Sequence, residues 1–134
     1  MWPNISAACP YQTKKPITIW LTLFRNNPKP FARYFMTIVL NDTQDVIGNV
    51  GITRENDTIG NIGWFLRQRF WGRGYATEAT LLMIRYGFEI IGLKKLVGSC
   101  HRENKASERV MEKCKFYLTD EKAHLIYYAL NHAN

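Results

Sequence analysis

Alternation of apolar and polar side chains in the first half of the chain predicts a three-stranded antiparallel meander. Side chains alternate between two faces over residues 31–40, 45–53 and 58–66, which is the period of an extended strand. Polar, turn-forming residues separate these segments at 41–44 and 55–57. Because each connection is short, neighbouring strands must run antiparallel.

A different spacing precedes the meander and predicts a helix over residues 16–27. Pro16 is tolerated in a first helical turn, and residues 26–30 include two prolines that end the helix. The predicted buried face repeats at intervals of three and four residues. Its members are Ile17, Trp20, Leu21 and Phe24.

Helical spacing returns in the second half of the chain. Residues 75–91 are apolar almost all round, which predicts a helix packed against a sheet and ended by Gly92. This crossover leads to a short buried strand at 96–100, which therefore lies parallel to the strand at 58–66. The predicted class is α/β, with a mixed, mostly antiparallel sheet and flanking helices. The remaining predicted elements are a helix at 105–114 and two strands, at 116–118 and 124–130, joined at 120–122.

Composition narrows the picture to one domain with an anionic partner. The chain has 134 residues, of which 46% are apolar, and this is enough for a single core. Its formal net charge of +7 favours a nucleic acid, a phosphorylated cofactor or an acidic protein surface. Three cysteines cannot all pair and have no zinc-site spacing, so we expect reduced thiols and no metal. With no export signal and no long apolar run, a cytoplasmic protein is expected.

The stretch RFWGRGYATEA, residues 69–79, joins a predicted strand to a predicted helix. Gly72 and Gly74 allow unusual backbone angles, and the helix start presents unpaired amides that suit phosphate. Arg69 and Arg73 add positive charge. The alternative is a tight turn with solvated arginines. Neither a P-loop nor a dinucleotide fingerprint is matched, because the Gly-Lys-Ser/Thr and the third small residue are missing.

These residues resemble a known family. Residues 69–74 fit the Gln/Arg-x-x-Gly-x-Gly/Ala signature of the GNAT acetyltransferases, and residues 71–79 are similar to the branch that acetylates ribosomal-protein N-termini, the RimJ/RimL type. The strand at 62–66 and the Asn-x-x-Ser at 104–107 match further family motifs in the same order. The resemblance covers residues 31–130.

The resemblance implies a GNAT fold with a splayed parallel strand pair and acetyl-CoA as cofactor. The amides from Trp71 to Ala76 would bind the pyrophosphate, and the strand Trp64 to Leu66 would pair with the pantetheine arm. A backbone amide near Phe65 or Leu66 would polarise the thioester oxygen. The cofactor-binding residues implied are Trp64, Phe65, Leu66, Arg69, Trp71, Gly72, Arg73, Gly74, Tyr75, Ala76, Asn104 and Ser107.

The catalytic residues implied are Ser107, Asn104 and Glu103. Ser107 would protonate the leaving thiolate, because Met111 occupies the position where many relatives have a tyrosine. The base is open between Glu103, His101 and a chain of water molecules, since Asn61 occupies the position of a frequent family glutamate and cannot accept a proton. The acceptor is a protein N-terminus, an amino acid, a polyamine or an aminoglycoside.

Two departures from the family pattern concern structure. Lys115 stands where relatives have glycine, so a positive φ there would be strained. The interpretation is one domain over 1–134 that lacks the usual first strand and helix, so that the amine-binding wall is incomplete or is completed by a second copy in a homodimer. Two alternatives to the enzyme are a non-catalytic acyl-CoA-binding module and a basic nucleic-acid-binding protein.

Overall fold

The computed structural model describes residues 17–22 and 33–133. Seven strands within these ranges form one mixed sheet in the order β1-β2-β3-β4-β5-β7-β6. The predicted α/β class, with a mixed, mostly antiparallel sheet and flanking helices, is confirmed. The strands are β1 (Ile17–Thr22), β2 (Arg33–Leu40), β3 (Val46–Arg54), β4 (Ile59–Leu66), β5 (Lys95–His101), β6 (Tyr117–Glu121) and β7 (Leu125–Asn131).

The meander predicted from alternation is confirmed as β2, β3 and β4. These strands pair antiparallel, with Phe35 opposite Gly51 and Gly51 opposite Gly63. A close approach explains one of these glycines, because a Cβ at Gly51 would lie 2.5 Å from the Phe35 ring. Residues 31 and 32, where the first strand was predicted to begin, lie outside the described residues.

The helix predicted over residues 16–27 is wrong at its start, because Ile17–Thr22 is a strand. All six residues of β1 pair antiparallel with β2, with Ile17 opposite Leu40. Ile17 and Ile19 are fully buried on one face of the strand, and Thr18, which lies on the other face, is buried as well. The segment is rich in β-branched residues, and pairing with β2 decides its conformation. Residues 23–27 of the predicted helix lie outside the described residues.

Two helices cover one face of the sheet. Helix α1 (Tyr75–Arg85) continues into a π-helical segment, Tyr86–Ile91, so the single helix predicted over 75–91 is two segments of different winding. Gly92 follows at φ 85°, as predicted for a C-terminal glycine. Helix α2 (Lys105–Lys113) packs beside α1. In the described part of the chain, no helix combines the length and the apolar character needed to cross a membrane.

Two glycines, one in the sheet and one in the π-helical segment, let the helices approach the sheet closely. A Cβ at Gly98 in β5 would lie 2.5 Å from Met111 of α2, and a Cβ at Gly87 in the π segment would lie 2.7 Å from Ile52 of β3. The even-numbered residues of β4 and β5, such as Ile62 and Leu96, therefore lie in the core beneath the helices. Their odd-numbered neighbours face the opposite side of the sheet.

The parallel pair predicted between β4 and β5 is confirmed, and it is short. The ladder runs from Ile59 opposite Lys95 to Asn61 opposite Val97. Both strands continue beyond this point, β4 to Leu66 and β5 to His101. The two strands therefore diverge and leave a gap in the middle of the sheet.

The end of α2 has Lys115 in the left-handed region, at φ 71°. The Phe116 amide donates to the Met111 carbonyl and the Lys115 amide donates to the Glu112 carbonyl, both at 3.0 Å, which is the hydrogen-bond pattern of a Schellman motif. Phe116 and Met111 are both buried in the core, as this motif requires. Lys115 therefore occupies a position that favours glycine, and the strain expected there from the sequence stays a prediction.

We expect Lys115→Gly to raise the free energy of unfolding by about 1 kcal/mol, because glycine adopts a positive φ without a steric penalty. Urea unfolding of the full chain, followed by circular dichroism, measures the change. Glu112→Gly, three residues earlier within the helix, is the control and should lower stability by roughly 0.5–1 kcal/mol. Equal losses in both variants would contradict the strain at Lys115.

Candidate functional site

The gap between β4 and β5 exposes backbone groups of β4. The Arg67 amide donates to the Ile47 carbonyl at 2.9 Å and the Glu55 amide donates to the Ile59 carbonyl at 2.8 Å, so the odd-numbered residues of this register direct their backbone groups at β3. By the alternation of an antiparallel ladder, Trp64 and Leu66 direct theirs into the gap.

The facing strand follows the same rule. The Arg102 amide donates to the His124 carbonyl and the His132 amide donates to the Lys94 carbonyl, both at 2.9 Å, so the even-numbered residues here bond to β7. Ser99 therefore directs its amide and carbonyl at the gap. Two strand edges without a common ladder face each other there, and an extended polar ligand could hydrogen-bond to both.

The glycine turn lies at the open end of this gap. Gly72 and Gly74 have φ of 78° and 83°, and a Cβ at either position would meet no atom of the described residues within 4 Å. These glycines are required by backbone conformation, and they leave open space above the turn. Gly74 is the N-cap of α1, and its carbonyl accepts the first helical bond, from the Glu78 amide.

Amides between Gly72 and Thr77 have no backbone partner within the described chain. They include the first amides of α1, which no intrahelical carbonyl reaches. The Trp71 amide differs, because it donates to the Gln68 carbonyl at 3.0 Å. The Trp71 indole also donates, to the Leu66 carbonyl at 2.7 Å, which ties the turn to the edge of β4.

A cavity of about 290 Å³ joins the turn, the edge of β4 and the first turns of α2. Asn104 is the N-cap of α2, and its Oδ1 accepts from the Ser107 amide at 3.1 Å. The Ser107 hydroxyl is half-buried at the cavity wall and makes no hydrogen bond to the described residues. The cavity is lined by Trp64, Phe65, Leu66, Trp71, Gly72, Gly74, Tyr75, Ala76, Thr77, Asn104, Ala106, Ser107, Arg109, Val110 and Lys113.

Most of the residues implied by the family signature therefore meet in one place, but the charged ones do not. Arg69 lies over the Phe70 ring at 5.1 Å and does not line the cavity. Arg73, which is exposed, does not line it either. The cations at the cavity are Arg109 and Lys113 of α2, four residues apart on one helix face.

The sequence contains a signal for these two cations in their spacing. The interval between them is one helical turn, and Ala106 lies three residues before Arg109 on the same face. Glu103 and His101, the two side chains considered as base, are exposed and do not line this cavity.

A second cavity, of about 420 Å³, lies on the sheet face opposite the helices. It begins where the parallel ladder ends, at Asn61, Val97 and Ser99. Asn61 donates from Nδ2 to the Glu55 carboxylate at 3.2 Å, so a carboxylate does stand beside the position of the frequent family glutamate. The further lining residues are Lys95, Gly98, Thr119, Asp120, Lys122, Tyr127, Tyr128 and Ala129.

Buried ionisable groups near α2 keep their protons. Burial raises the pKa of the Cys114 thiol to about 11, and burial with the nearby Glu108 carboxylate raises the pKa of Cys100. Burial, followed by the Glu108 carboxylate, raises the pKa of the Tyr128 phenol to about 12. These groups are neutral at physiological pH, so none of them serves as a nucleophile or base.

The comparison with protein families agrees with this geometry. The model described as "Acetyltransferase (GNAT) domain" matches residues 5–117. The chain therefore belongs to the GNAT acetyltransferase family. This match includes the glycine turn, the gap and the start of α2.

Individual relatives share between 16% and 32% of their aligned residues with this chain. The chain is 32% identical over 103 residues to the uncharacterized Bacillus subtilis protein YkkB, which covers 75% of this chain and 60% of YkkB. A solved GNAT-family acetyltransferase from Bacillus anthracis is similar, with 25% identity, a TM-score of 0.68, and coverage of 72% of this chain and 65% of that one. The Campylobacter jejuni N-acetyltransferase PseH, solved with acetyl coenzyme A, shares the fold at 16% identity and a TM-score of 0.66, over 75% of this chain and 69% of that one. The chain thus spans less than two thirds of the length of the first two.

We expect Gly74→Glu to weaken CoA binding by at least roughly tenfold, or 1.4 kcal/mol, because a carboxylate would stand among the amides that suit phosphate. Calorimetric titration of the variant with CoA measures this. Gly92→Glu is the matched control, because Gly92 also has a positive φ and open space but lies outside the cavity. Unchanged affinity in Gly74→Glu, or equal loss in both variants, would contradict the assignment of the phosphate site.

Proposed function

We propose that the chain is an N-acetyltransferase that moves an acetyl group from acetyl-CoA to a primary amine. One observation carries this proposal: the unpaired edge of β4, the unbonded amides after Trp71 and the start of α2 all border one cavity. A ligand with a phosphate at one end and an amide-containing chain at the other matches that order of groups.

The described residues fit acetyl-CoA. The amides from Gly72 to Thr77 would bind the pyrophosphate, and the backbone of Trp64 and Leu66 would pair with the pantetheine amides. Acetyl-CoA supplies an activated thioester when it is bound. Because alternation directs the Leu66 amide into the gap and the Phe65 amide at β3, Leu66 is the better candidate for polarising the thioester oxygen.

The amine is proposed to arrive from the opposite face of the sheet, through the cavity at Asn61 and Ser99. That cavity meets the gap where the parallel ladder ends. Asp120 is the carboxylate in its lining and would hold the ammonium form of the acceptor. A neutral amine is required for attack, and the proton would leave through Asp120 or through water on this exposed face.

Ser107 is proposed to protonate the leaving thiolate, with Asn104 holding the first turn of α2. Its hydroxyl faces the cavity without a partner within the described residues. Met111, one turn later, is buried in the core and has no proton to donate. Glu103 and His101 remain candidates for the base only through intervening water, because neither borders the cavity of Ser107.

A second candidate function is non-catalytic binding of acyl-CoA. The observation that favours it is that, among residues 17–22 and 33–133, no acidic or histidine side chain lines the first cavity. The ribosomal-protein branch and the homodimer remain predictions from sequence resemblance.

Calorimetric titration of the purified chain with acetyl-CoA, followed by thiol release on adding amines and N-terminal peptides, tests the proposed function. Binding in the micromolar range together with release of one thiol per acetylated amine is the expected result. Binding without release with any amine would favour the non-catalytic module. No binding would refute both functions.

We expect Ser107→Ala to lower kcat by about a hundredfold, the lower end of the range for a lost general acid, and to leave the Kd for acetyl-CoA nearly unchanged. Thiol release under saturating acetyl-CoA gives kcat, and calorimetry gives Kd. Ser107→Thr keeps a hydroxyl and should retain most of the activity. If Thr and Ala variants lose activity equally, Ser107 acts through structure and not as a proton donor.

A further inference from the structure

The cavity on the open face of the sheet has an ordered pattern of charge. Ser99 of β5 lies opposite Tyr127 of β7, and Tyr127 lies opposite Asp120 of β6, so these three residues share one level of the sheet. This level is next to the end of the parallel ladder. Asp120 receives the Glu121 amide on Oδ1 at 2.8 Å, which leaves Oδ2 for a ligand.

Lysines border this level on both sides. Lys95 lies four residues before Ser99 along β5, or about 13 Å at the rise of a strand. Lys122 follows Asp120 by two residues, and its Nζ lies 6.0 Å from the centre of the Tyr127 ring. An acceptor whose amine is at the level of Ser99 therefore meets a lysine in whichever direction its chain extends along the strands.

Both lysines are available to a ligand. Neither takes part in an ion pair within residues 17–22 and 33–133, whereas the neighbouring Arg102 is bonded to Glu121 at 3.0 Å. Lys95 is half-buried, so its charge is less screened by solvent than that of a fully exposed lysine. Among the described residues that line the cavity, two lysines stand against one carboxylate, that of Asp120, so their net charge is positive.

We propose that the acceptor is a primary amine that carries an anionic group, a carboxylate or a phosphate, a few bonds from its amino group. This inference rests on the proposed acetyl transfer. Asp120 holds the ammonium form of the amine, and Lys122 binds the anion over the Tyr127 ring. A polyamine or an aminoglycoside places a second cation against Lys122 or Lys95, so these acceptors are disfavoured by repulsion.

Matched pairs of acceptors test this proposal through thiol release from acetyl-CoA. The carboxylate pairs are L-alanine with L-alaninamide and L-lysine with cadaverine, the phosphate pair is 2-aminoethyl phosphate with ethanolamine, and spermidine is the polycation. We expect the anionic member of at least one pair to have a kcat/KM about tenfold higher, the effect of one charge-assisted hydrogen bond. That preference should decrease as salt is added. The pair with the largest ratio of kcat/KM between its anionic and neutral members shows whether a carboxylate or a phosphate is preferred.

Substitutions of the two lysines test whether these side chains cause the preference for the anionic acceptor. Lys122→Met and Lys95→Met should each reduce the kcat/KM ratio within the preferred pair, by lowering kcat/KM for its anionic member. Lys94→Met is the matched control, because Lys94 is adjacent to Lys95 but is exposed and outside the cavity. An unchanged kcat/KM ratio in Lys122→Met, or a preference for spermidine, would overturn this inference but not the proposed function. Protein that binds acetyl-CoA but releases thiol with no acceptor would instead overturn the proposed function.

Discussion

The early end of the hydrogen-bond ladder between β4 and β5 is the constraint on which the site depends. Parallel neighbours normally satisfy each other's backbone groups along their shared length. Here the register ends at Asn61 and Val97 while both strands continue, so amides and carbonyls that a continuous sheet would consume are left facing each other. Both cavities lie at this interruption, one on each face of the sheet.

The helices keep the interruption open. Gly98 of β5 lets α2 approach the sheet through Met111, and Gly87 lets the π segment approach Ile52, so the helix pair covers the sheet beside the gap without filling it. The indole of Trp71 then connects the glycine turn to the Leu66 carbonyl. The glycine turn and the edge of β4 are therefore held in a fixed relation by this side-chain hydrogen bond.

Sequence patterns predicted the elements in which apolar residues recur with a clear period, and they failed where pairing between strands determines the conformation. The meander, the crossover and the glycine turn follow from alternation, helical spacing and Gly72 and Gly74. Residues 17–22 contain three of the four apolar positions that gave the predicted helical spacing, yet pairing with β2 overrides that pattern, and no local signal reports such pairing. The change to π winding at Tyr86 depends likewise on contact with the sheet.

The candidate site likewise has a part that the sequence predicted and a part that it did not. Backbone roles were predictable, because glycines and a helix start fix where amides point, whereas side-chain roles depend on tertiary placement. Arg69 and Arg73 belong to the glycine turn in sequence but do not line the cavity. Arg109 and Lys113 line the cavity from another helix, α2. The Asn-x-x-Ser motif predicted Asn104 and Ser107 together because one caps the helix that presents the other.

Because the two cavities lie on opposite faces, the sheet would separate the two reactants in the proposed reaction. Each would enter from its own side and neither would have to leave before the other binds, so both can be present at the gap together. Such an arrangement suits direct transfer within a ternary complex and makes a covalent acyl-enzyme unnecessary, in agreement with the buried, protonated state of Cys100 and Cys114. In the proposed reaction it would also separate two selections: the glycine turn would select the donor by its phosphates, and the opposite face could diverge in the acceptor that it admits.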